Sequence, residues 1–499
     1  MRLKEWLSKP IAALAAKEVE KWSREALRRQ EETMSSLVSK ARNTAFGKDH
    51  SFSEIKNYSE FKERVPLREY EGLKIYIDRI VAGEADVLWP GRPIYFSKTS
   101  GTTSGAKYIP ITKESMPHHT DATKNALLLY IAKTGKAQFV NDKMIFLQGS
   151  PKLGDTNGIP TGRLSGIVAH HVPGYLQKNR LPSLKTNSIE DWETKVAAVV
   201  EETRNQPMSL ISGIPSWVQH YFEKLLEVSG KATVQELFPT FKLFVYGGVN
   251  FEPYRPRFEK LIGGRVDSIE TYPASEGFIA FQNEQDDKSL LLNIEGGIFF
   301  EFIPVETYFD EKPTRLSLAE VEIGKNYALV LSTDAGLWAY SIGDTVKFTS
   351  LDPYKILVTG RIKHFTSAFG EHVIAEEVEG ALNEVVAKYP TEVIEFHVAP
   401  KLNLTGGLPH HEWLVSFAKE PEDMEVFSAE LDLAMQKKNI YYADLIKGKI
   451  LQPLKITSLQ KDAFNEFMKS KGKLGGQNKV ARLSDNRDNA DLLLRWKKS

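Results

Sequence analysis

Short apolar runs of strand length recur down this chain with helical segments between them, and that alternation restricts the fold more than any other feature. Met144-Ile145-Phe146-Leu147, Leu243-Phe244-Val245-Tyr246, Phe299 to Ile303 and Tyr327 to Ser332 are such runs. Asp191 to Asn205 and Ser216 to Val228 stand between several of them with helical composition. Continuously apolar strands are those buried on both faces, so the pattern predicts an α/β domain. Residues 1–90 read as helical instead. Leu3, Leu7, Ile11 and Leu14 recur at helical spacing, and Trp22 to Lys40 is rich in helix formers. The basic face around Trp6 suggests docking on a membrane surface. Packing of that helix on its own domain is the expectation.

A second unit is predicted after Val346, where the chain crosses Asp352-Pro353 and enters Ile356-Leu357-Val358-Thr359-Gly360-Arg361. Helices are expected near 375–388 and 423–438, and strands near 393–399 and 411–417. The boundary is placed near Arg361 to Lys363. That makes residues 1–360 a large N-terminal domain and residues 361–499 a smaller C-terminal one. A chain of 499 residues is long enough for both cores.

Charge and cysteine content exclude several classes. Lys and Arg number 65, as do Asp and Glu, so the formal net charge is zero. That balance argues against a nucleic-acid or anionic-membrane binder and leaves small-molecule substrates as the expected partners. There are no cysteines, hence no disulfides, thiolate metal sites or cysteine nucleophiles. The apolar run from Ile11 to Ala16 is ended by Lys17 and Glu18, too short for a signal peptide. No stretch approaches the roughly 18 apolar residues of a membrane span, so a cytoplasmic protein is expected.

The most informative segment is Ser97-Lys98-Thr99-Ser100-Gly101-Thr102-Thr103-Ser104-Gly105-Ala106-Lys107-Tyr108, set between strand-like Ile94-Tyr95-Phe96 and Ile109-Pro110-Ile111. Glycines let backbone N–H groups turn toward an anion, hydroxyls add donors, and Lys107 adds charge. The segment reads as a loop for a polyphosphate, against the plainer reading of a flexible turn. It is not a Walker A loop, because Gly101 and Gly105 stand one residue too close and Tyr108 follows the lysine. In Tyr272-Pro273-Ala274-Ser275-Glu276-Gly277 an aromatic face suits a purine, and a carboxylate suits Mg²⁺, unless Glu276 only caps the next segment. In Trp338-Ala339-Tyr340-Ser341-Ile342-Gly343-Asp344 the carboxylate suits a ribose diol, unless Gly-Asp is an ordinary turn. Gly360-Arg361-Ile362-Lys363 and Gly475-Gly476-Gln477-Asn478-Lys479-Val480 are unremarkable singly.

In order, these five segments resemble the acyl-adenylate-forming superfamily, and more closely the auxin-responsive acyl-acid amido synthetases, the Gretchen Hagen 3 family, with their bacterial relatives. Thr99-Ser100-Gly101-Thr102-Thr103-Ser104-Gly105 looks like that family's Ser-Ser-Gly-Thr-Ser-x-Gly loop. Tyr272-Pro273-Ala274-Ser275-Glu276 is similar to Tyr-x-x-Ser-Glu, and Tyr340-Ser341-Ile342-Gly343-Asp344 to Tyr-Arg-x-Gly-Asp. Gln477-Asn478-Lys479-Val480-Ala481-Arg482 resembles the C-terminal Gln-Tyr-Lys-x-Pro-Arg. Ser341 departs from an arginine and Ala481 from a proline, and Pro273 is unusual inside the tyrosine motif.

The resemblance implies the superfamily's luciferase-like fold, with a mobile α+β C-terminal domain. It implies ATP and Mg²⁺, a small carboxylic acid activated as an acyl-adenylate, and transfer to an amine, in the main an amino acid. Thr99, Ser100, Gly101, Thr102 and Thr103 would hold the β/γ-phosphates with Lys107. Gly247 and Gly248 would form the adenine-side turn and Tyr272 would stack on the base. Ser275 would touch the α-phosphate, Glu276 hold Mg²⁺, and Asp344 bind the ribose. Arg361 would sit at the hinge near the ribose, with Lys363 beside the pivot and Lys479 carried in by the small domain. An acid:CoA ligase shares the first half-reaction and is the runner-up; a nucleotide-binding protein without catalysis is the third reading. The pairs His118-His119, His170-His171 and His410-His411 invite a metal, but neighbouring strand residues face opposite ways and no third ligand joins them. His170 or His171, near Tyr175, and Trp217 are candidates for the acyl pocket, with core packing the competing role for Trp217.

Overall fold

The computed structural model describes residues 3–102, 105–172, 174–248, 251, 255–362, 365–366, 369, 371, 373–402, 407–471 and 482–498. They divide into two compact units. The larger comprises 1–190, 195–248 and 258–362, and the smaller comprises 191–194, 249–257 and 363–499.

In the larger unit the strands are, in chain order, β1 (Tyr95–Thr102), β2 (Gly105–Ile111), β3 (Lys143–Leu147), β4 (Gly154–Thr156), β5 (Ile159–Gly162), β6 (Arg180–Leu181), β7 (Met208–Gly213), β8 (Leu243–Gly247), β9 (Asp267–Ala274), β10 (Gly277–Gln282), β11 (Leu290–Leu292), β12 (Ile298–Pro304), β13 (Asn326–Thr333), β14 (Tyr340–Leu351) and β15 (Tyr354–Arg361). Eleven of them form one sheet in the order β12-β13-β14-β15-β11-β10-β9-β8-β7-β3-β6. From β6 to β9 the neighbours run parallel. From β9 to β12 they run antiparallel. The helix-separated strands thus supply only half of the sheet, and hairpins supply the rest.

The continuous apolar runs have a direct cause. Along β12 and β13, Phe300, Phe302, Tyr327, Leu329 and Leu331 enter one hydrophobic cluster. The alternating Phe299, Ile303, Ala328 and Val330 enter another on the opposite face. Successive strand residues point to opposite faces, so a sheet covered on both sides needs apolar residues at every position. The edge strand β12 is closed by a helix, Ala26–Ala41. The buried Gln30 of that helix donates to the Ile298 carbonyl and accepts from the Phe300 N–H, each at 2.8 Å. An edge satisfied in this way offers no free ladder to another chain.

The first helix, Leu3–Arg24, also packs on its own domain, against helix Ser115–Thr134. It does so through Ala12, Val19 and Trp22, not through the stripe that marks its period: Leu3, Leu7, Ile11 and Leu14 are exposed. Ala12, Val19 and Trp22 are buried on the packed side, and the four aliphatic residues of the stripe are left outside.

The hydroxyl-rich segment read as a loop is a β-hairpin for most of its length. β1 and β2 pair antiparallel, Tyr95 opposite Ile111 and Thr99 opposite Lys107, up to Thr102 opposite Gly105. With β5 and β4 they make a separate four-stranded sheet.

In the smaller unit, β16 (Phe365–Thr366) pairs with β17 (Val373–Ile374), and β18 (Glu392–Lys401), β19 (His410–Lys419) and β20 (Lys455–Leu459) form a three-stranded sheet. Helices Ala375–Val386 and Met424–Lys438 accompany them. Among the described residues no helix is long and apolar enough to cross a membrane.

Candidate active site

In the parallel half of the sheet, glycines stand at or just beyond the carboxyl ends of three strands. β3 runs out into Gln148 and Gly149, β7 ends at Gly213, and β8 ends at Gly247 followed by Gly248. Ligands of open α/β sheets bind outside such carboxyl ends. Gly247 is dictated by its neighbour: a Cβ there would lie 2.3 Å from the Thr271 carbonyl oxygen of β9. The absent side chain lets β8 close on β9 one residue before Tyr272.

The Tyr-x-x-Ser-Glu segment occupies the end of β9 and its turn into β10. Ala274 pairs with Gly277, so Ser275 and Glu276 form the tip of a tight hairpin. Both are half-buried. The Ser275 hydroxyl lies 2.8 Å from that of Ser97, a fully buried residue of β1, which ties this tip to the base of the hydroxyl-rich hairpin. The Tyr340 hydroxyl donates to Glu276 Oε1 at 3.4 Å.

Asp344 reaches the same place from β14. The pairing of β14 with β13 shifts between Ser341 and Thr345, and Gly343 takes φ +85° within that irregularity. A bulge of this kind re-aims a side chain, and glycine adopts the left-handed conformation without Cβ strain. Asp344 is buried, and its Oδ2 accepts a 2.5 Å hydrogen bond from the Tyr272 hydroxyl. Its strand partner in β15 is Arg361.

Three motifs far apart in sequence are therefore joined by named contacts: Ser97 to Ser275, Tyr340 to Glu276, and Tyr272 to Asp344. Gly247 adjoins them through Thr271. Lys107, opposite Thr99 in the hairpin, holds its ammonium 5.6 Å from the centre of the Tyr70 ring. The Tyr70 hydroxyl accepts from the Tyr108 N–H at 2.9 Å, and burial pushes its phenol up to about 12. Ser100, Gly101 and Thr102 lie on the terminal stretch of β1. Thr103, Lys363 and Lys479 fall outside the described residues, as do Ser104 and Ala481. Ser341 is buried, with its hydroxyl 2.8 Å from that of Tyr308, so the departure from arginine is filled by a tyrosine contact.

Four of the six histidines in the adjacent pairs each meet a different polar partner. His170 Nε2 lies 2.8 Å from the Pro151 carbonyl, and His171 Nε2 lies 3.1 Å from the Tyr95 hydroxyl. His118 Nε2 lies 3.1 Å from Asp334, and His411 Nε2 lies 2.8 Å from the buried Glu371. Among the described residues no three His, Asp or Glu side chains gather as a metal cluster. Trp217 lies in the first turn of helix Pro215–Ser229, which follows β7, and is partly buried.

Sequence reasoning gave no role to Ser97, Tyr340, Tyr70 or Lys195. The first two were inside the recognised motifs, but strand register alone decides what they touch. The buried Lys195 donates to the carbonyls of Gln148 and Asn187, each at 2.8 Å, and Arg180 donates to Gln148 Oε1 at 2.7 Å. Burial, with Arg163 nearby, pulls the Lys195 ammonium down to about 8. The two cations fix Gln148 at the carboxyl end of β3.

Three family models match the chain in order: the GH3 family N-terminal domain over residues 15–190, the central domain over 291–361 and the C-terminal domain over 376–488. The chain belongs to the GH3 family. This GH3 protein is 23% identical to the jasmonoyl–L-amino acid synthetase JAR4 of Nicotiana attenuata, over 66% of this chain and 68% of that one. It is also 23% identical to the indole-3-acetic acid-amido synthetase GH3.4 of Arabidopsis thaliana, over 91% and 88%. Its fold matches the solved AtGH3.15 acyl acid amido synthetase in complex with 2,4-DB at a TM-score of 0.62, with 18% identity and coverage of 98% and 96%. It matches 2-hydroxyisobutyryl-CoA ligase in complex with 2-HIB-AMP and CoA at 0.60, with 15% identity and coverage of 95% and 92%. The expected acyl-adenylate-forming fold is thus the observed one, and the GH3 protein is an enzyme of the ligase class.

Proposed function

We propose that this GH3 protein is an ATP-dependent acyl-acid amido synthetase that activates a small carboxylic acid as its acyl-adenylate and transfers the acyl group to an amino acid. The observation that carries the reading is the meeting of Tyr272 with Asp344 beside the turn that bears Ser275 and Glu276. An aromatic face and a carboxylate suit an adenosine. A hydroxyl-rich hairpin, tied to that turn through Ser97, suits its phosphates.

The chemistry is a double displacement. A carboxylate oxygen attacks the α-phosphorus, and the bond to pyrophosphate breaks. The amine nitrogen then attacks the acyl carbonyl, AMP leaves, and the amine gives up a proton. The first step brings like charges together, so it needs neutralisation at the phosphates. The half-exposed Glu276 carboxylate fits Mg²⁺, which takes oxygen ligands and is commonly held by one or two carboxylates plus phosphate. When bound, Mg²⁺ supplies charge neutralisation there. Thr99, Ser100, Gly101, Thr102 and Thr103 would hold the β/γ-phosphates, with Lys107 adding charge. Asp344 accepts from the ribose hydroxyls, held in place by Tyr272. Gly247 and Gly248 leave room on the adenine side. Arg361, opposite Asp344 in the sheet, marks the end of the part that holds both substrates, and the residues after Ile362 belong to the mobile domain that carries Lys479. One of His170 and His171 is the candidate for the acyl side, and Trp217 serves core packing ahead of that role.

Acid-dependent ATP–pyrophosphate exchange across aryl, indole and aliphatic acids tests the first half, followed by product analysis with amino acids or CoA offered as acceptors. Exchange with at least one acid and an amide product are expected. Exchange with no acid, or thioester without amide, would overturn the reading.

A further inference from the structure

The first helix has two apolar faces, and only one is covered. Ala12, Val19 and Trp22 pack inward, against helix Ser115–Thr134 and the turn Gln138–Asn141. On the other side Leu3 is 70% exposed, Trp6 57%, Leu7 45%, Ile11 53% and Leu14 68%. At 3.6 residues per turn these five fall within one arc of about 140°, with Leu3, Trp6, Leu7 and Leu14 turned away from Ala12 and Val19 and Ile11 at its border with the packed face. The inward contacts fix the helix so that this stripe cannot rotate out of water. Five large apolar side chains held in the solvent on one surface mark an interaction site, not ordinary surface scatter.

The charges around the stripe select the occupant. Lys4 and Lys9 are exposed on its two flanks, and Lys17 and Lys21 follow at its C-terminal end. Glu5 is turned inward, where it accepts from Asn141 Nδ2 at 3.5 Å. Glu18 and Glu20 stand beyond the stripe, and Glu20 pairs with Arg24 at 2.6 Å. An apolar stripe carrying a tryptophan, with lysines at its borders, is the design of a helix that lies in the headgroup layer of a membrane. The aliphatic side chains enter the acyl boundary, Trp6 sits at the interface, and the lysines meet anionic headgroups. We propose that the stripe Leu3, Trp6, Leu7, Ile11 and Leu14 docks this protein reversibly on an anionic lipid surface. The zero net charge of the whole chain does not oppose this, because screening makes the local lysines, not the distant surface, what the membrane senses.

The test is co-sedimentation of the full chain with phosphatidylcholine vesicles, with and without phosphatidylglycerol, beside light scattering of the protein alone. Binding is expected to vesicles containing phosphatidylglycerol and to fall with added salt. The double variant Leu7→Glu with Leu14→Glu should lose binding at least about tenfold. The triple variant Lys4→Glu, Lys9→Glu, Lys17→Glu should lose the preference for phosphatidylglycerol. All these positions are exposed, so the thermal transition and ATP–pyrophosphate exchange should stay unchanged. No vesicle binding by the wild type overturns the proposal, as does equal binding by the double variant. A dimer that the double variant dissociates, without vesicle binding, would also overturn it and assign the stripe to a second copy of the chain.

Discussion

The Tyr272 hydroxyl donates to Asp344 Oδ2 across 2.5 Å, joining residues 72 positions apart in a buried hydrogen bond. It links the side chain that suits an adenine face to the carboxylate that suits a ribose, so the two are positioned together. Tyr272→Phe keeps the ring and removes the bond. Hydrogen bonds to charged groups are worth about 1.5–3 kcal/mol, so kcat/KM for ATP should fall roughly 10- to 100-fold. The same variant should lose much less against 2′,3′-dideoxy-ATP, which lacks the hydroxyls that Asp344 would accept from. An equal loss with both nucleotides would separate Tyr272 from ribose recognition.

Glu276 stands at the tip of the β9–β10 hairpin, half-buried, with Tyr340 as a neighbour. Glu276→Gln keeps the shape and removes the charge that suits a cation. We predict a loss of about 10²–10³ in the exchange rate, with little change in thermal stability. Raising the Mg²⁺ concentration should recover part of the loss. A stability loss that parallels the activity loss would point to a structural role instead.

Glu301 and Arg315 form a bidentate pair beneath the helical segment, Nε to Oε1 and Nη2 to Oε2 both at 2.9 Å. Their side chains are 0% and 7% exposed, and Tyr58 also donates to Glu301 at 2.9 Å. Arg315→Met strands a buried carboxylate and should destabilise by about 3–5 kcal/mol in urea unfolding. Adding Glu301→Leu should recover much of that, because an apolar pair of similar volume needs no desolvated charge.

His119 is buried, and among the described residues its Nδ1 lacks a hydrogen-bond partner. Burial, reinforced by the neighbouring His118, pulls its imidazole down to about 4. A histidine whose folded value lies below its unfolded value contributes stability above the unfolded value. That stability is lost as pH falls from about 6.5 toward 4, because the unfolded chain binds the proton first. The shift corresponds to about 3 kcal/mol across that window. His119→Leu should flatten the acid side of the urea midpoint between pH 7 and pH 4.5, with no change above pH 7. An unaltered acid slope would place the lability elsewhere.

Local physics made much of this protein readable from its sequence. The apolar runs at 144–147, 243–246, 299–303 and 327–332 are strands because a sheet buried on both faces requires apolar residues at consecutive positions, a rule that acts within a few residues. Helices 192–203, 215–229, 375–386 and 424–438 arise in the same way from periodicity. The ordered motifs were legible because each chemistry needs particular residue types at short spacing. What a sequence of local signals does not contain is which distant side chains meet. The antiparallel half of the sheet depends on long-range strand pairing, and so does the hairpin that replaced an expected loop. The Ser97–Ser275 and Tyr272–Asp344 contacts depend on register and on one bulge at Gly343. The first helix shows the limit most plainly. Its period is written in Leu3, Leu7, Ile11 and Leu14, but the neighbour it packs on covers Ala12, Val19 and Trp22 instead, so tertiary packing decided which stripe was left in water.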